Sequence, residues 1–209
     1  QEVFFANFNY ALEVFRLAEH LNASYFLNLN TVLNSGVNYY AFSKNMFKDY
    51  VTTYGKKDIS IINLYLDMMF GHNDQRFFNS ILKQLIVNDT FIPMTKGNQS
   101  RNFVHVDEVV KQIIFVLKNL DRLSKEVIFM GSKIEMKLQD FVKIIVNQLF
   151  ILTKKNYGNR FQFGKIADRV NERQSEIVLQ KKFINEVSAT IQLCDIERQV
   201  NKEIKLFLQ

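Results

Sequence analysis

Apolar residues recur every three or four positions along several segments of this chain, the spacing that gives a helix one buried face. Short runs rich in β-branched and aromatic residues lie between those segments and favour strands. The predicted helices cover residues 3–21, 38–54, 75–87, 107–120, 137–150, 174–187 and 194–208. The predicted strands cover residues 24–30, 59–66, 90–94, 101–106, 126–130 and 160–164. Helices that alternate with single apolar strands predict an α/β protein with a mainly parallel sheet.

The ends of the predicted strands are the places where a ligand site is expected, because open parallel sheets bind ligands beyond the carboxyl ends of their strands. Those places hold Thr31, the segment 67–74, which we expect to end in a loop at 71–74, and Arg101. Asn38 stands directly before the second helical pattern and is a residue type that caps helices.

Composition predicts a globular protein, in one large domain or two small ones, since 47% of the 209 residues are hydrophobic and 23% are charged. No apolar run approaches the roughly 18 residues of a membrane span, and residues 1–20 lack the pattern of a signal peptide. A single cysteine, Cys194, excludes an internal disulfide and fits a reducing compartment. We expect its side chain to be a small buried hydrophobe.

The net charge of +6 and the pI near 9.3 permit anionic partners such as nucleic acid or nucleotide phosphates. The basic residues are dispersed without a run of five, which argues against a nucleic-acid-binding module. The three histidines are isolated, so no metal site is predicted. His105 lies within an apolar strand pattern and is expected to be a satisfied, buried residue. Asp107 and Glu108 are explained by the positive end of a helix dipole more simply than as an acid–base pair.

Tyr40 and Lys44 are the candidate chemical pair, four residues apart in the predicted helix 38–54 and therefore on one helix face. A lysine ammonium beside a phenol favours the phenolate, which makes the tyrosine a usable base near neutral pH. Roughly one such Y-x-x-x-K pair is expected by chance in a lysine-rich chain with many tyrosines. The spacing alone therefore also fits an ordinary surface pair.

Further motifs surround that pair in a fixed order. The run Gly97–Val109 (GNQSRNFVHVDEV) is similar to G-x-x-x-R-D-F-x-x-V-D-D-V, and Leu64–Asp74 (LYLDMMFGHND) keeps the Gly and Asp of an ending Y-G-P-x-D. The strand before them ends at Thr31. From residue 3 to about 172 the chain thus resembles the extended short-chain dehydrogenase/reductase family, in which that strand usually delivers a catalytic Ser or Thr. That family contains NAD(P)-dependent nucleotide-sugar epimerases, dehydratases and reductases.

The resemblance implies roles for individual residues. Thr31, Tyr40 and Lys44 take the catalytic positions, with Tyr40 and Lys44 also contacting the cofactor, NAD or NADP. A threonine that ends a strand is also common without function. Asn7 matches the family asparagine near the active site, and Asn9 is the alternative.

Two arginines are implied substrate contacts. Arg101 would hold the substrate pyrophosphate, since the guanidinium fork matches phosphate oxygens. Arg169 takes a similar role on a shorter match, Phe163-Gly164 followed by RVNE. A solvated charge is the alternative interpretation of either arginine.

The chain departs from the family pattern at several positions. It contains no Gly-rich turn of the form G-x-x-G-x-x-G, which cradles the cofactor pyrophosphate. Phe70, His72, Met68 and Asn102 stand where the family usually has Tyr, Pro, Asn and Asp. The implied fold is therefore a Rossmann-like parallel sheet that lacks its N-terminal part, with a small α/β substrate-binding domain.

The resemblance also implies domain bounds and a function. Residues 1–66 and about 101–125 form the remaining NAD(P)-binding domain, and residues 67–100 and about 126–209 form substrate-binding segments. The implied function is that of a cytoplasmic nucleotide-sugar epimerase, dehydratase or reductase of surface polysaccharide synthesis. We expect neither a nucleic-acid nor a membrane partner. Members of the family often dimerise through the helices that correspond to residues 3–21 and 38–54, so the resemblance allows a homodimer. The alternative is an inactive remnant or binding protein of the same fold.

Overall fold

The computed structural model describes residues 1–71, 74, 77–124, 127–168 and 181–209. Its contacts divide the chain into two compact units. Unit 1 contains Gln1–Asp67 and Gln112–Met130, and unit 2 contains Met68–Lys111, Gly131–Asp168 and the described residues from 181 to 209. Arg169 and His72 lie outside the described residues, as does the beginning of the predicted helix 174–187.

The described residues form helices, strands and a few short helical turns. The helices are α1 (Glu2–Phe4), α2 (Tyr10–His20), α3 (Tyr39–Tyr54), α4 (Phe77–Leu82), α5 (Val106–Leu117), α6 (Leu120–Leu123), α7 (Leu138–Thr153), α8 (Lys181–Thr190) and α9 (Ile196–Phe207). The strands are β1 (Tyr25–Thr31), β2 (Ser60–Leu66), β3 (Met68–Phe70), β4 (Ile92–Pro93), β5 (Ser100–Arg101), β6 (Phe103–His105), β7 (Ile128–Phe129), β8 (Met136–Lys137) and β9 (Phe161–Gln162). Single π-helical turns cover Phe5–Asn9 and Lys83–Val87, and a 3₁₀ turn covers Gly158–Arg160.

Unit 1 is built on a parallel sheet with the strand order β1–β2–β7. Tyr25 pairs with Ser60 at the start of β1, and Leu64 of β2 pairs with Ile128 of β7. Helices α2 and α3 close one core of this unit, in which Phe15 and Phe47 are fully buried. The side of α2 that carries Phe15 and the side of α3 that carries Phe47 therefore face this core.

Unit 2 contains three two-stranded ladders: β3–β6 and β4–β9 are parallel, and β5–β8 is antiparallel. Its core is rich in phenylalanine, and the rings of Phe103 and Phe141 stack with their centroids 3.8 Å apart. Helix α9 packs on α7, where Nδ2 of Asn201 donates to Oε1 of Gln148 over 2.8 Å. These contacts seat α9 against the core of unit 2.

The predicted α/β class with mainly parallel strands is confirmed, as is the buried His105. Residues 68–70, for which no element is predicted, form β3 and pair with β6. One local expectation is wrong. Cys194 is exposed rather than buried, because it lies in the segment that joins α8 to α9. None of the described helices is both long enough and apolar enough to cross a membrane.

Candidate active site

The loop after β1 and the start of α3 are held together by asparagine side chains. Oδ1 of Asn38 accepts a hydrogen bond from the backbone N–H of Ala41 over 2.8 Å, which caps α3 as predicted. Nδ2 of Asn45 donates to the carbonyl oxygens of Leu33 and Ala41, over 3.0 and 2.9 Å. The first turn of α3, which carries Tyr40, is therefore fixed against the loop.

Lys44 joins α3 to the end of β1. Its Nζ donates a hydrogen bond to the carbonyl oxygen of Leu29, two residues before Thr31, over 2.8 Å. The side chain is half-buried, and this burial lowers the pKa of Lys44 from its ordinary value of 10.5. An ammonium has three N–H donors, so two remain for a ligand or for the Tyr40 phenol.

Tyr40 lies one helical turn before Lys44 on α3 and is half-buried. Tyr39, the neighbouring candidate in the sequence, is 82% exposed. Residues four apart on a helix share a face, so Tyr40 rather than Tyr39 lies on the side of Lys44.

Thr31 ends β1 and is 4% exposed. Its N–H donates to Oδ1 of Asn30 over 2.8 Å, and its Oγ1 accepts from the N–H of Leu33 over 3.2 Å. The hydroxyl oxygen thus acts as an acceptor within the loop. Thr31, Tyr40 and Lys44 together form what we call the Tyr40 site, all of it within unit 1.

Asn7 lies in the π-helical turn between α1 and α2 and is half-buried, whereas Asn9 is exposed. A cavity of about 940 Å³ in unit 1 is lined by Asn9 together with Tyr39, Phe42 and residues 1–5. Single π-turns occur frequently at functional sites. The alternative assignment to Asn9 therefore stands beside that to Asn7.

Arg101 belongs to unit 2, where it forms β5 and pairs with Met136 of β8. It is 6% exposed, and its Nη1 donates to the carbonyl oxygen of Ser100 over 2.7 Å. A guanidinium carries five N–H donors in a planar fork, and that of Arg101 is held within unit 2.

Asn102 has a structural role that sequence reasoning missed. Its Oδ1 accepts from the N–H of Ser132 over 2.7 Å, and its Nδ2 donates to the carbonyl oxygen of Ser132 over 2.9 Å. A Cβ on Gly131 would lie 2.3 Å from that Oδ1, so only glycine fits there. A carboxylate could accept but not donate, which explains why an amide stands here in place of the family's usual Asp. Two features of the sequence could have pointed to this contact: the Asn at position 102 where the family usually has Asp, and the Gly131-Ser132 pair.

A comparison with known families identifies the family of this chain. Residues 1–131 match the model of the NAD dependent epimerase/dehydratase family. The chain belongs to this family. Its matched part includes β1, β2 and α3, and with them Thr31, Tyr40, Lys44 and Arg101.

The curated relatives of this epimerase/dehydratase-family chain are longer than the chain itself. A CDP-abequose synthase of Salmonella typhimurium (strain LT2) is 27% identical over 177 residues, which are 80% of this chain and 58% of the relative. A second CDP-abequose synthase, from Salmonella muenchen, is 26% identical over 57% of this chain and 42% of its own length. The chain thus spans about half the length of the curated relatives it matches.

Solved structures of the epimerase/dehydratase type share the fold. A dTDP-glucose 4,6-dehydratase from Bacillus anthracis, in complex with NAD, superposes with a TM-score of 0.74 at 15% identity. The alignment covers 98% of this chain and 68% of the dehydratase chain. A UDP-glucuronic acid 4-epimerase from Bacillus cereus, in complex with UDP-glucuronic acid and NAD, has a TM-score of 0.70 at 18% identity, over 93% and 66%. At these identities the likeness establishes the fold.

Proposed function

We propose that this chain carries the catalytic tyrosine side of an NAD(P)-dependent enzyme that acts on a nucleoside-diphosphate sugar. The observation that carries the proposal is the hydrogen bond from Nζ of Lys44 to the carbonyl oxygen of Leu29. It brings the helix of Tyr40 to the end of the strand that carries Thr31, within a chain of the epimerase/dehydratase family.

Each residue of the Tyr40 site has a chemical task. The Tyr40 phenolate takes the proton of a sugar hydroxyl, and the Lys44 ammonium stabilises that phenolate. The Thr31 hydroxyl donates to the reacting oxygen. Bound NAD or NADP would accept or return the hydride at the same sugar carbon.

The residues present fit one end of that cofactor. Two N–H donors of Lys44 remain to bind ribose hydroxyls, and the ammonium is fixed by the Leu29 carbonyl. The 209 residues contain no G-x-x-G-x-x-G turn to cradle the pyrophosphate. This chain therefore supplies groups for the nicotinamide-ribose end of the cofactor.

Substrate binding is assigned to Arg101, with Asn7 and Arg169 as further contacts. The relatives named above act on, or are bound to, CDP-, UDP- and dTDP-linked sugars, which share a pyrophosphate. The buried, planar fork of Arg101 suits that group. The proposed substrate class is therefore nucleoside-diphosphate sugars, through their pyrophosphate.

A homodimer is proposed from the surface of α2. Tyr10, Val14, Leu17 and Leu21 recur at helical spacing and are exposed in the chain described here. An exposed apolar stripe of this kind is typical of a helix that packs on a partner. A second copy of the chain, with the same stripe, is the proposed partner.

Cofactor binding tests the proposal directly. The purified chain is titrated with NADH and with NADPH, and ligand fluorescence is followed. We expect saturable binding that Lys44→Met weakens about tenfold or more, as for a lost hydrogen bond to a charged group. Lys48→Met is the matched control, because Lys48 lies one turn further along α3 and pairs with Asp49. Absence of binding, or equal loss in both variants, contradicts the cofactor assignment for this chain.

A further inference from the structure

Unit 2 contains a second cavity, of about 240 Å³, and its described lining includes none of Thr31, Tyr40, Lys44, Asn7 and Arg101. Its walls come from the start of α5, the segment 131–136 and the segment 193–199 that leads into α9. Val104, Ile134 and Ile196 make these walls largely apolar. The volume is that of roughly eight water molecules in the liquid, which is enough for one small ring system.

Glu108 lines this cavity with a carboxylate that is only half satisfied. The residue is 5% exposed, and its Oε1 accepts a hydrogen bond from Nζ of Lys111 over 2.9 Å. Its Oε2 is buried and has no hydrogen-bond partner among the described residues. A buried acceptor without a donor destabilises the folded protein. A ligand that donates an N–H to this oxygen removes that destabilisation, which favours its binding.

Two carboxylates, Glu108 and Asp195, and two ammonium groups, Lys133 in the lining and Lys111 beside Glu108, balance one another around the cavity, which favours a neutral ligand. The hydrogen bond to Glu108 raises the pKa of Lys111, which therefore stays protonated and balances the carboxylate. Asp195, also in the lining, caps α9 by accepting from the N–H groups of Glu197 and Arg198. Neither carboxylate needs a cation from the ligand.

Gln199 adds a second polar group to the same cavity. It is 8% exposed and lines the cavity from α9. Its carboxamide offers one donor and one acceptor side by side, the pattern that pairs with an amino group beside a ring nitrogen. Such an amino group has a second hydrogen, and the vacant acceptor is Oε2 of Glu108.

We propose that this cavity binds a neutral amino-substituted nitrogen heterocycle, the class to which adenine belongs. The amino group donates to Oε2 of Glu108 and to the Gln199 carboxamide, and the ring packs between Val104 and Ile196. A free base and the base of a nucleotide share this chemistry. The size of the cavity favours the free base.

Cys194 provides a reporter for the test, since it is the single cysteine and lies exposed in the lining of the cavity. The rate at which N-ethylmaleimide alkylates Cys194 is measured with adenine, with AMP and with 6-methylpurine, which replaces the amino group by a methyl group of similar size. We expect adenine to slow the alkylation, and 6-methylpurine to leave it unchanged. Protection by AMP equal to that by adenine would identify a nucleotide as the source of the base.

Two variants identify the groups that bind, with circular dichroism as the check that each is folded. Glu108→Gln and Gln199→Leu are expected to weaken adenine binding about ten- to hundredfold, as for a hydrogen bond to a charged group or a paired amide. Asp140→Asn is the control, because Asp140 pairs with a lysine three residues on, as Glu108 does, but is exposed and lies outside the cavity. Equal protection by adenine and 6-methylpurine, no protection by any of the three, or adenine binding that survives in both cavity variants overturns the proposal.

Discussion

Nε2 of His105 lies 2.8 Å from Oε1 of Glu203, and both side chains are 2% exposed. Nδ1 of the same ring accepts a hydrogen bond from the N–H of Asp107 over 3.1 Å. The ring proton is therefore on Nε2, which donates to the Glu203 carboxylate. This contact ties α9, near the C-terminal end of the chain, to β6 within unit 2.

Breaking this contact from one side should destabilise the protein strongly. His105→Leu leaves the Glu203 carboxylate buried without a donor, which we expect to lower the free energy of unfolding by about 3–5 kcal/mol. The double variant His105→Leu/Glu203→Leu should recover most of that loss, since both polar partners are then gone. Urea denaturation measures both. The control Lys202→Met breaks an exposed pair with Asp107 and should lower the free energy of unfolding by only about 0–1 kcal/mol. If His105→Leu loses no more stability than Lys202→Met, the buried contact is not the cause.

The Asn102–Ser132 contact predicts an unusual sensitivity to a small substitution. Gly131→Ala places a methyl group against Oδ1 of Asn102 and should lower the free energy of unfolding by about 1–3 kcal/mol, because buried amide groups lose their partners. Asn102→Asp should also destabilise, since it removes the donor to the Ser132 carbonyl. Thermal unfolding followed by circular dichroism tests both. Gly158→Ala is the control, where the nearest atom would be 3.2 Å away; a similar shift there would count against the contact.

Lys44 should titrate below Lys111 and Lys202. Burial lowers its pKa, whereas hydrogen bonds to carboxylates raise the pKa of Lys111 and of Lys202. The unfolded chain then binds more protons than the folded one between the lowered pKa and 10.5, so Lys44 makes stability rise with pH in that window. Carbon-13 methylation of lysines with NMR titration measures the order, and Lys44→Arg and Lys111→Arg assign the signals. A Lys44 signal that titrates at the same pH as Lys111, or at a higher pH, would contradict the predicted lowering of the Lys44 pKa.

Turnover should depend on the Tyr40 hydroxyl. In a preparation that converts a nucleotide sugar, Tyr40→Phe removes the base and should lower kcat by about 100-fold or more, with little change in the unfolding curve. Tyr39→Phe, the exposed neighbour, should leave kcat unchanged. Retained activity in Tyr40→Phe would show that another group takes the proton.

The α2 stripe predicts the oligomeric state. Light scattering on the purified chain should give the mass of a dimer, and Leu17→Glu should shift it to the monomer because a charge enters the apolar contact. Leu17 is 55% exposed, so the variant should fold normally. Arg16→Ala, on the polar side of the same helix, should keep the dimer. A monomeric wild-type chain, or a dimer that Leu17→Glu leaves intact, argues against this surface.

The sequence predicted features that local chemistry determines. Asn38 is a capping residue directly before an apolar helical pattern, so the start of α3 and the shared face of Tyr40 and Lys44 followed from nearby residues. The parallel sheet likewise followed from apolar runs between helices. For the start of α3, the physical cause lies within a few positions of its effect.

Features that depend on distant partners could not be predicted in this way. Asn102 meets a residue 30 positions away, and His105 meets one 98 positions away. Glu203 gave one clue, since it falls at the helical spacing of the buried Val200 and Ile204, where a charge requires a partner. Sequence spacing cannot say which residue that partner is.

The pairing of β2 on both edges bears on how the protein forms during synthesis. β1 and β2 are neighbours along the chain, so they can join soon after Leu66 has left the ribosome. The opposite edge of β2 has to wait for Ile128, which at about 5–20 residues per second means several seconds of delay. An open strand edge is a template for association with other chains. During this interval the unpaired edge of β2 is exposed in the nascent protein, and chaperone binding at this stage would prevent such association.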